Sequence, residues 1–279
     1  MMSLPRWSWR ELITRYELEP SLKDAYVEGL FDQTVITRCL SKRGVRDWII
    51  YPIDVVEISD DTLAAHNLTT GNKNRVIALA RELARAVNSQ CKCIVDRDLD
   101  HWFGELESNP HLVWTKYASL ELYFFSTELL KDILLVAAKA RISDWTAFEA
   151  SAARVLTLLY SYRLADRSLR WSLKWLTADR CLSLSGSEVK FDDNEYRKRL
   201  LLANTRGGQR TEFDSAVARW QEILVCDPRH AVRGHDLTYF LAWAIEKFRG
   251  LESFADEDAV EQIFILLADD VPEICELVA

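Results

Sequence analysis

The stretch Lys92-Cys93-Ile94-Val95-Asp96-Arg97-Asp98-Leu99-Asp100 decides how this chain reads. Lys92 to Val95 is a short apolar strand. Three carboxylates at alternate positions follow it at once. The abrupt change places Asp96, Asp98 and Asp100 at the carboxyl end of a strand, the edge at which open parallel sheets bind ligands.

Upstream, Ala25 to Gly29 reads as a strand ending in Glu28-Gly29, and Asp32 to Leu40 repeats apolar residues at helical spacing. Asp47 to Glu57, rich in Trp, Ile and Val, reads as another strand. Past the turn formers Thr69-Thr70-Gly71-Asn72, the segment Arg75 to Asn88 puts Val76, Leu79, Ala80, Leu83 and Val87 on one helical face, with Arg81, Glu82 and Arg85 largely opposite. Downstream, His111 to Thr115 is a fourth strand candidate and Ser119-Leu120-Glu121 opens a helix. This alternation predicts an α/β fold over residues 1–127, with a mostly parallel sheet and flanking helices. Residues 128–279 read as a mainly α-helical part. It begins with two long helices broken near Ile142 to Trp145, followed by a small hairpin at 181–191 around Ser185-Gly186.

The 279 residues carry 35 Lys+Arg against 43 Asp+Glu, a net charge of −8, which excludes a generic basic nucleic-acid coat. At 49% hydrophobic residues, with nine Gly and six Pro, the composition is globular rather than fibrous or disordered. Lys139 and Arg141 interrupt the longest apolar candidate, Leu129 to Ile142, so no membrane span and no membrane partner are expected. Met1 to Arg10 lacks the apolar core of a secretory signal, and the expected location is the cytoplasm. There the six cysteines are expected as buried thiols, with Cys91-x-Cys93 too isolated for zinc. The ten Trp are expected in the core. The five His lack any ligand spacing and are expected at the surface or at caps.

Glu28 at one strand end, the Asp96-x-Asp98-x-Asp100 run at another and Glu121 on the next element would converge at one sheet edge. Such a cluster repels itself unless a cation neutralises it, and an all-oxygen donor set favours Mg2+ or Mn2+. The chemistry that uses this arrangement is transfer at a phosphodiester, with a free carboxylate as general acid or base. A D-x-D after a strand also marks haloacid-dehalogenase-type phosphatases. Their motif lies on the first strand and usually has Thr or Val where this chain has Asp100, which disfavours that reading. Taken alone, the acidic run also fits a solvated turn.

Tyr26-Val27-Glu28-Gly29 with Asp32, followed 68 residues after Glu28 by Asp96-Arg97-Asp98-Leu99-Asp100, resembles the TOPRIM family of topoisomerases, primases and overcoming-lysogenisation-defect nucleases. Ser119-Leu120-Glu121-Leu122-Tyr123 and Gly234-His235-Asp236-Leu237 are similar to the branch found beside ATPases in phage-defence operons, such as the effectors of PARIS-type anti-phage defence. The resemblance implies Glu28 as metal ligand or general acid/base and Asp96 and Asp98 as holders of the principal metal. It also implies Asp100 as a third partner and Glu121 as a reach toward a second metal, with Asp236 outside the site. It further implies a toxic Mg2+-dependent endonuclease, RNA (transfer RNA in particular) as substrate, an ATPase partner of ABC or AAA type, and dimerisation on activation.

Arg163, Arg167, Arg170 and Lys174 fall at i, i+4, i+7 and i+11 of a helix expected over Ala153 to Leu176, a one-sided basic stripe flanked by Trp171 and Trp175. A second basic group is Arg197-Lys198-Arg199 with Arg206 and Arg210. These are either a nucleic-acid surface or a solvated face paired with Asp166, Asp179 or Glu195. With no Walker A or G-x-G-x-x-G sequence, nucleotide hydrolysis would belong to a partner. The alternative to a nuclease is a non-catalytic nucleic-acid-sensing or scaffold subunit of an ATPase complex.

Overall fold

The computed structural model describes residues 6–86 and 88–278; Val87 of the expected apolar face and Met1 to Pro5 lie outside the described residues. The chain divides into two compact units, Met1–Tyr123 with Phe264–Ala279, and Phe124–Ile263. The last segment therefore belongs with the first unit, whereas the sequence expectation placed all of 128–279 in the second.

The first unit runs β1 (Trp7–Ser8), α1 (Trp9–Leu18), β2 (Lys23–Val27), α2 (Leu30–Lys42), β3 (Trp48–Pro52), β4 (Val56–Glu57), α3 (Asp60–Ala65), α4 (Asn72–Ala86), β5 (Lys92–Val95) and β6 (Leu112–Trp114). Four strands form a wholly parallel sheet in the order β3-β2-β5-β6, and β1 pairs with β4 in a separate parallel ribbon. The unit is thus α/β, a parallel sheet with flanking helices. Ala25 to Val27 and Cys93 to Val95 are buried on both faces, which is why these strands read as continuous apolar runs rather than alternating ones. The α4 helix buries Val76, Leu79, Ala80 and Leu83 completely. Its other side is not freely solvated: Arg81 binds Glu107, and Glu82 binds His66 at 2.6 Å.

Beneath the sheet lies a buried polar knot. Asp24 accepts a hydrogen bond from the Tyr16 hydroxyl at 2.9 Å and an ion pair from Arg15 at 3.1 Å, and the Tyr16 and Tyr26 hydroxyls meet at 2.9 Å. Partners on all sides keep a charge tolerable in the core. Cys39 of α2 is bridged to Cys275, 236 residues away, and Arg38 and Lys42 both pair with Asp269. These contacts tie the last segment to the first unit and correct the expectation of six free thiols.

The second unit contains α5 (Thr127–Lys131), α6 (Trp145–Leu169), β7 (Leu182–Ser185), β8 (Glu188–Phe191), α7 (Asp193–Ala203), α8 (Arg210–Ile223) and α9 (Gly234–Lys247). The chain then enters α10 (Glu257–Leu267), from which Phe264 onward counts with the first unit. The antiparallel β7-β8 hairpin turns through Gly186 at φ +65°, as its sequence signal suggests. The helix expected from Ser119 begins only at Thr127, where the Ser126 hydroxyl caps it; Leu120–Phe124 is a 3-10 turn. The first of the two long helices is short, passing from α5 into a single π-helical segment, Asp132–Ala137.

Other expectations are corrected by burial. Among the ten Trp only Trp243 is fully buried. His66 and His111 are core residues, the latter with its ring nitrogen 2.9 Å from the Cys91 carbonyl oxygen.

Candidate functional site

Glu28 and Asp96 meet at the carboxyl ends of two neighbouring strands. The β2–β5 register pairs Tyr26 with Cys93, so Glu28 arrives level with the end of β5, and its Oε1 accepts a hydrogen bond from the Asp96 N–H at 3.0 Å. Gly29 then caps α2, its N–H bonding the Asp32 carboxylate at 3.1 Å. That bond satisfies one of the helix's first donors and turns Asp32 toward the same edge. Glu28, Asp32 and Asp96 line one small cavity floored by Ile36 and Ile94.

The acidic run is held by the segment after β6. Thr115 accepts a hydrogen bond from the Arg97 N–H at 3.1 Å, the Asp98 N–H reaches the Ala118 carbonyl at 2.7 Å, and the Leu120 N–H reaches Asp96 Oδ1 at 3.1 Å. Asp98 adopts φ +45°, a left-handed conformation that Asp tolerates better than most residues. Asp98 and Asp100 then turn to Lys73 in the first turn of α4, whose ammonium lies 2.8 Å from one carboxylate and 2.7 Å from the other. Lys73 also sits 5.5 Å from the Trp114 ring centroid. Asn72 Nδ2 donates to the Glu28 carbonyl at 2.8 Å, fastening the start of α4 to the same edge. The sequence reading missed Lys73. The one available signal was its place just after Thr69-Thr70-Gly71-Asn72, a turn that a parallel crossover delivers to the strand ends.

The electrostatics follow from crowding. Glu28 is pushed up to about 7, by burial first and then by the charges of Asp98 and Glu121, against the bond from the Asp96 N–H and the charge of Lys73, which lower it. Burial also raises Asp32 well above the usual carboxylate range, with the charges of Glu121 and Glu28 adding to it. Asp96 is raised in the same way, by burial first and then by Glu28, Asp32, Glu121 and Asp98. Burial lowers the Lys73 pKa, but Asp98 and Asp100 outweigh it and leave the ammonium held above its ordinary value.

The structure thus brings together Glu28, Asp32, Asp96, Asp98 and Glu121 as mutually interacting charges, with Asp98 and Asp100 joined through Lys73. Among the described residues no three His, Cys, Asp or Glu side chains form a ready-made coordination sphere. The residues nonetheless fit a hard divalent cation: the donors are all oxygen, the carboxyls are raised first by burial and then by neighbouring carboxylates, and Ser119, the residue before the Leu120 N–H that bonds Asp96, has a buried hydroxyl without a hydrogen-bond partner.

The expected basic stripe does not form. The α6 helix stops at Leu169, Arg170 turns left-handed at φ +57°, and the Asp166 carboxylate accepts from the Leu173 N–H at 3.1 Å. That local acceptor draws the chain out of the helix before Lys174, whose N–H bonds Asn204. Arg163 meets Asp236 through two hydrogen bonds of 2.9 and 2.7 Å and stacks over Trp175. Asp236 is therefore an architectural partner of Arg163. In the second basic group, Arg197 pairs with Asp193 and Asp214, and Arg210 with Asp214.

No protein-family model matches the chain, and no curated protein matches it. No helix among the described residues is long and apolar enough to cross a membrane.

Proposed function

We propose that this protein is a TOPRIM-like, Mg2+- or Mn2+-dependent nuclease that cuts phosphodiester bonds at the carboxyl edge of its parallel sheet. The observation that carries the reading is the meeting of Glu28 and Asp96 at the ends of adjacent parallel strands, 3.0 Å from carboxylate to amide, with Asp32 and Glu121 in the same electrostatic cluster. Between them the chain runs α2, β3, β4, α3 and α4, so the short β4 and α3 are added to the helix, strand and helix that the family resemblance implies. Asp96, with Asp98 and Glu121, would hold the ion, which would polarise a phosphoryl oxygen and lower the pKa of an attacking water. Glu28 holds or releases a proton near neutral pH, the property a general acid/base requires. Asp32 orients the start of α2. Lys73 keeps Asp98 and Asp100 in place and presents an ammonium at the edge where a phosphate would lie. By the same resemblance the reading extends to a toxic cytoplasmic effector of anti-phage defence, acting on RNA such as transfer RNA, restrained by an ABC- or AAA-type ATPase and dimeric when active.

The test is cleavage of total cellular RNA and of plasmid DNA by purified protein, with Mg2+ or Mn2+, with chelator, and with and without the ATPase partner. Cuts that require the metal and vanish in Glu28→Gln support the nuclease. Equal cutting by Glu28→Gln, or none under any condition, removes it. The Lys73 bridge favours a second reading, a sheet edge already neutralised from within and used as a scaffold, which predicts nucleic-acid or partner binding indifferent to Glu28→Gln and Asp96→Asn.

A further inference from the structure

The failure of the α6 stripe leaves open where a nucleic-acid strand would lie, and the first unit has a surface suited to it. Thr34, Thr37, Arg38, Ser41 and Lys42 recur at helical spacing along the outer face of α2, spanning about 12 Å of helix. They form one wall of an open groove of about 680 Å³, with Ile265 and Asp269 opposite. Asp269 is the counter-charge for both Arg38, at 2.9 Å, and Lys42, at 3.7 Å, so the groove keeps a positive excess on a protein of net charge −8. The wall also offers accessible hydroxyls, since Thr37 and Ser41 are exposed. Arginine, lysine and hydroxyl side chains are the donors that grip phosphate oxygens without reading bases. The same helix is capped by Gly29, directly after Glu28, so the groove begins about 7 Å along the axis from the carboxylate cluster.

We propose that the α2 groove seats the phosphodiester backbone of the nucleic-acid strand to be cut and leads it to the sheet edge. This rests on the nuclease reading. Phosphates at Thr37, Arg38, Ser41 and Lys42 fix the strand's path along the helix, and the next part of the strand passes the helix N-terminus where Glu28, Asp32 and Asp96 stand.

The test uses the full chain carrying Glu28→Gln, so that bound strand is not consumed, with no divalent metal. Fluorescence anisotropy of a labelled single-stranded RNA and of DNA of the same sequence is read over a salt series. Thr37→Glu with Ser41→Glu should weaken binding at least tenfold. Thr37→Lys with Ser41→Lys should tighten it several-fold and steepen the dependence of log affinity on log salt by about 1.4 to 1.8, the signature of two added phosphate contacts. Both positions are exposed, and unchanged circular dichroism confirms folding. Glu17→Lys on the exposed side of α1 adds the same two charges elsewhere and should change affinity less than twofold. An equal response to Glu17→Lys, no response to either α2 pair, or no binding by the parent overturns the groove. Repeating the α2 pairs in chains that retain Glu28 separates the two ideas. Glu28-dependent cutting with an unaltered KM in Thr37→Glu/Ser41→Glu removes the groove and leaves the nuclease. Charge-tracking binding without Glu28-dependent cutting does the reverse.

Discussion

At the edge of the first unit's sheet, Glu28, Asp32 and Asp96 are all raised by burial and by neighbouring carboxylates, while Lys73 is engaged with Asp98 and Asp100. In the second unit Arg163 meets Asp236 through two hydrogen bonds, and Arg197 lies between Asp193 and Asp214. The same residue types serve opposite ends. Matched charges hold helices in register, and their removal is felt as stability. Crowded like charges cost stability in the metal-free protein, and perturbed carboxyls of that kind mark sites that bind or react.

The largest effect that would break this contrast lies at Glu28. Glu28→Gln should lower the cleavage rate about 10²- to 10⁴-fold, the range for losing a general acid/base, while leaving circular dichroism unchanged; a full-rate variant would put Glu28 among the merely structural acids. Arg163→Ala should do the converse. It leaves a half-buried Asp236 with only the longer contact to Arg233, at 3.9 Å, among its ion pairs, and should cost about 1.5 to 3 kcal/mol in urea unfolding, with cleavage per folded molecule unaffected. Replacing both partners, Arg163→Met with Asp236→Leu, should recover most of that loss.

Proton linkage sharpens the contrast further. Glu28 titrates near 4.5 when unfolded and about 7 when folded, so between those values the folded protein binds more protons than the unfolded one. Its contribution therefore favours folding at low pH and is lost as pH rises through 7. The melting temperature of metal-free Glu28→Gln relative to wild type should accordingly rise from pH 5 to pH 8. Added Mg2+ should stabilise wild type more at pH 8 than at pH 5. A difference between the two proteins that does not vary with pH would mean that Glu28 is not desolvated as described. A smaller effect belongs to Lys73. Lys73→Met removes the internal cation that Mg2+ must displace from Asp98 and Asp100, so a thermal-shift titration should show several-fold tighter Mg2+ binding. Smallest is Arg154→Ala, an exposed partner of Glu188, for which no measurable change in melting temperature or cleavage is expected.

Much of the site was legible because its signals are local. Glu28-Gly29 and Asp96-x-Asp98 each follow an apolar strand, and a parallel sheet aligns such ends whatever else the chain does. Lys73 was not legible as a site residue, since a lysine in the first turn of an amphipathic helix looks solvated until the crossover carries it to the strand ends. The basic stripe misled for the opposite reason: its spacing was right for a helix that Asp166 ends early, with no Gly or Pro to announce the stop.

The sequence by itself determined the alternation of strands and helices, the hairpin at Gly186 and the order of the acids, because these depend on burial patterns and turn chemistry within a few residues. Only the tertiary structure decided that Cys39 joins Cys275, that residues from Phe264 onward complete the first unit, and that Lys73 faces Asp98 and Asp100. Those pairings join residues far apart in the chain. Their energy is realised only once sheet and helices have packed, and no local pattern encodes it.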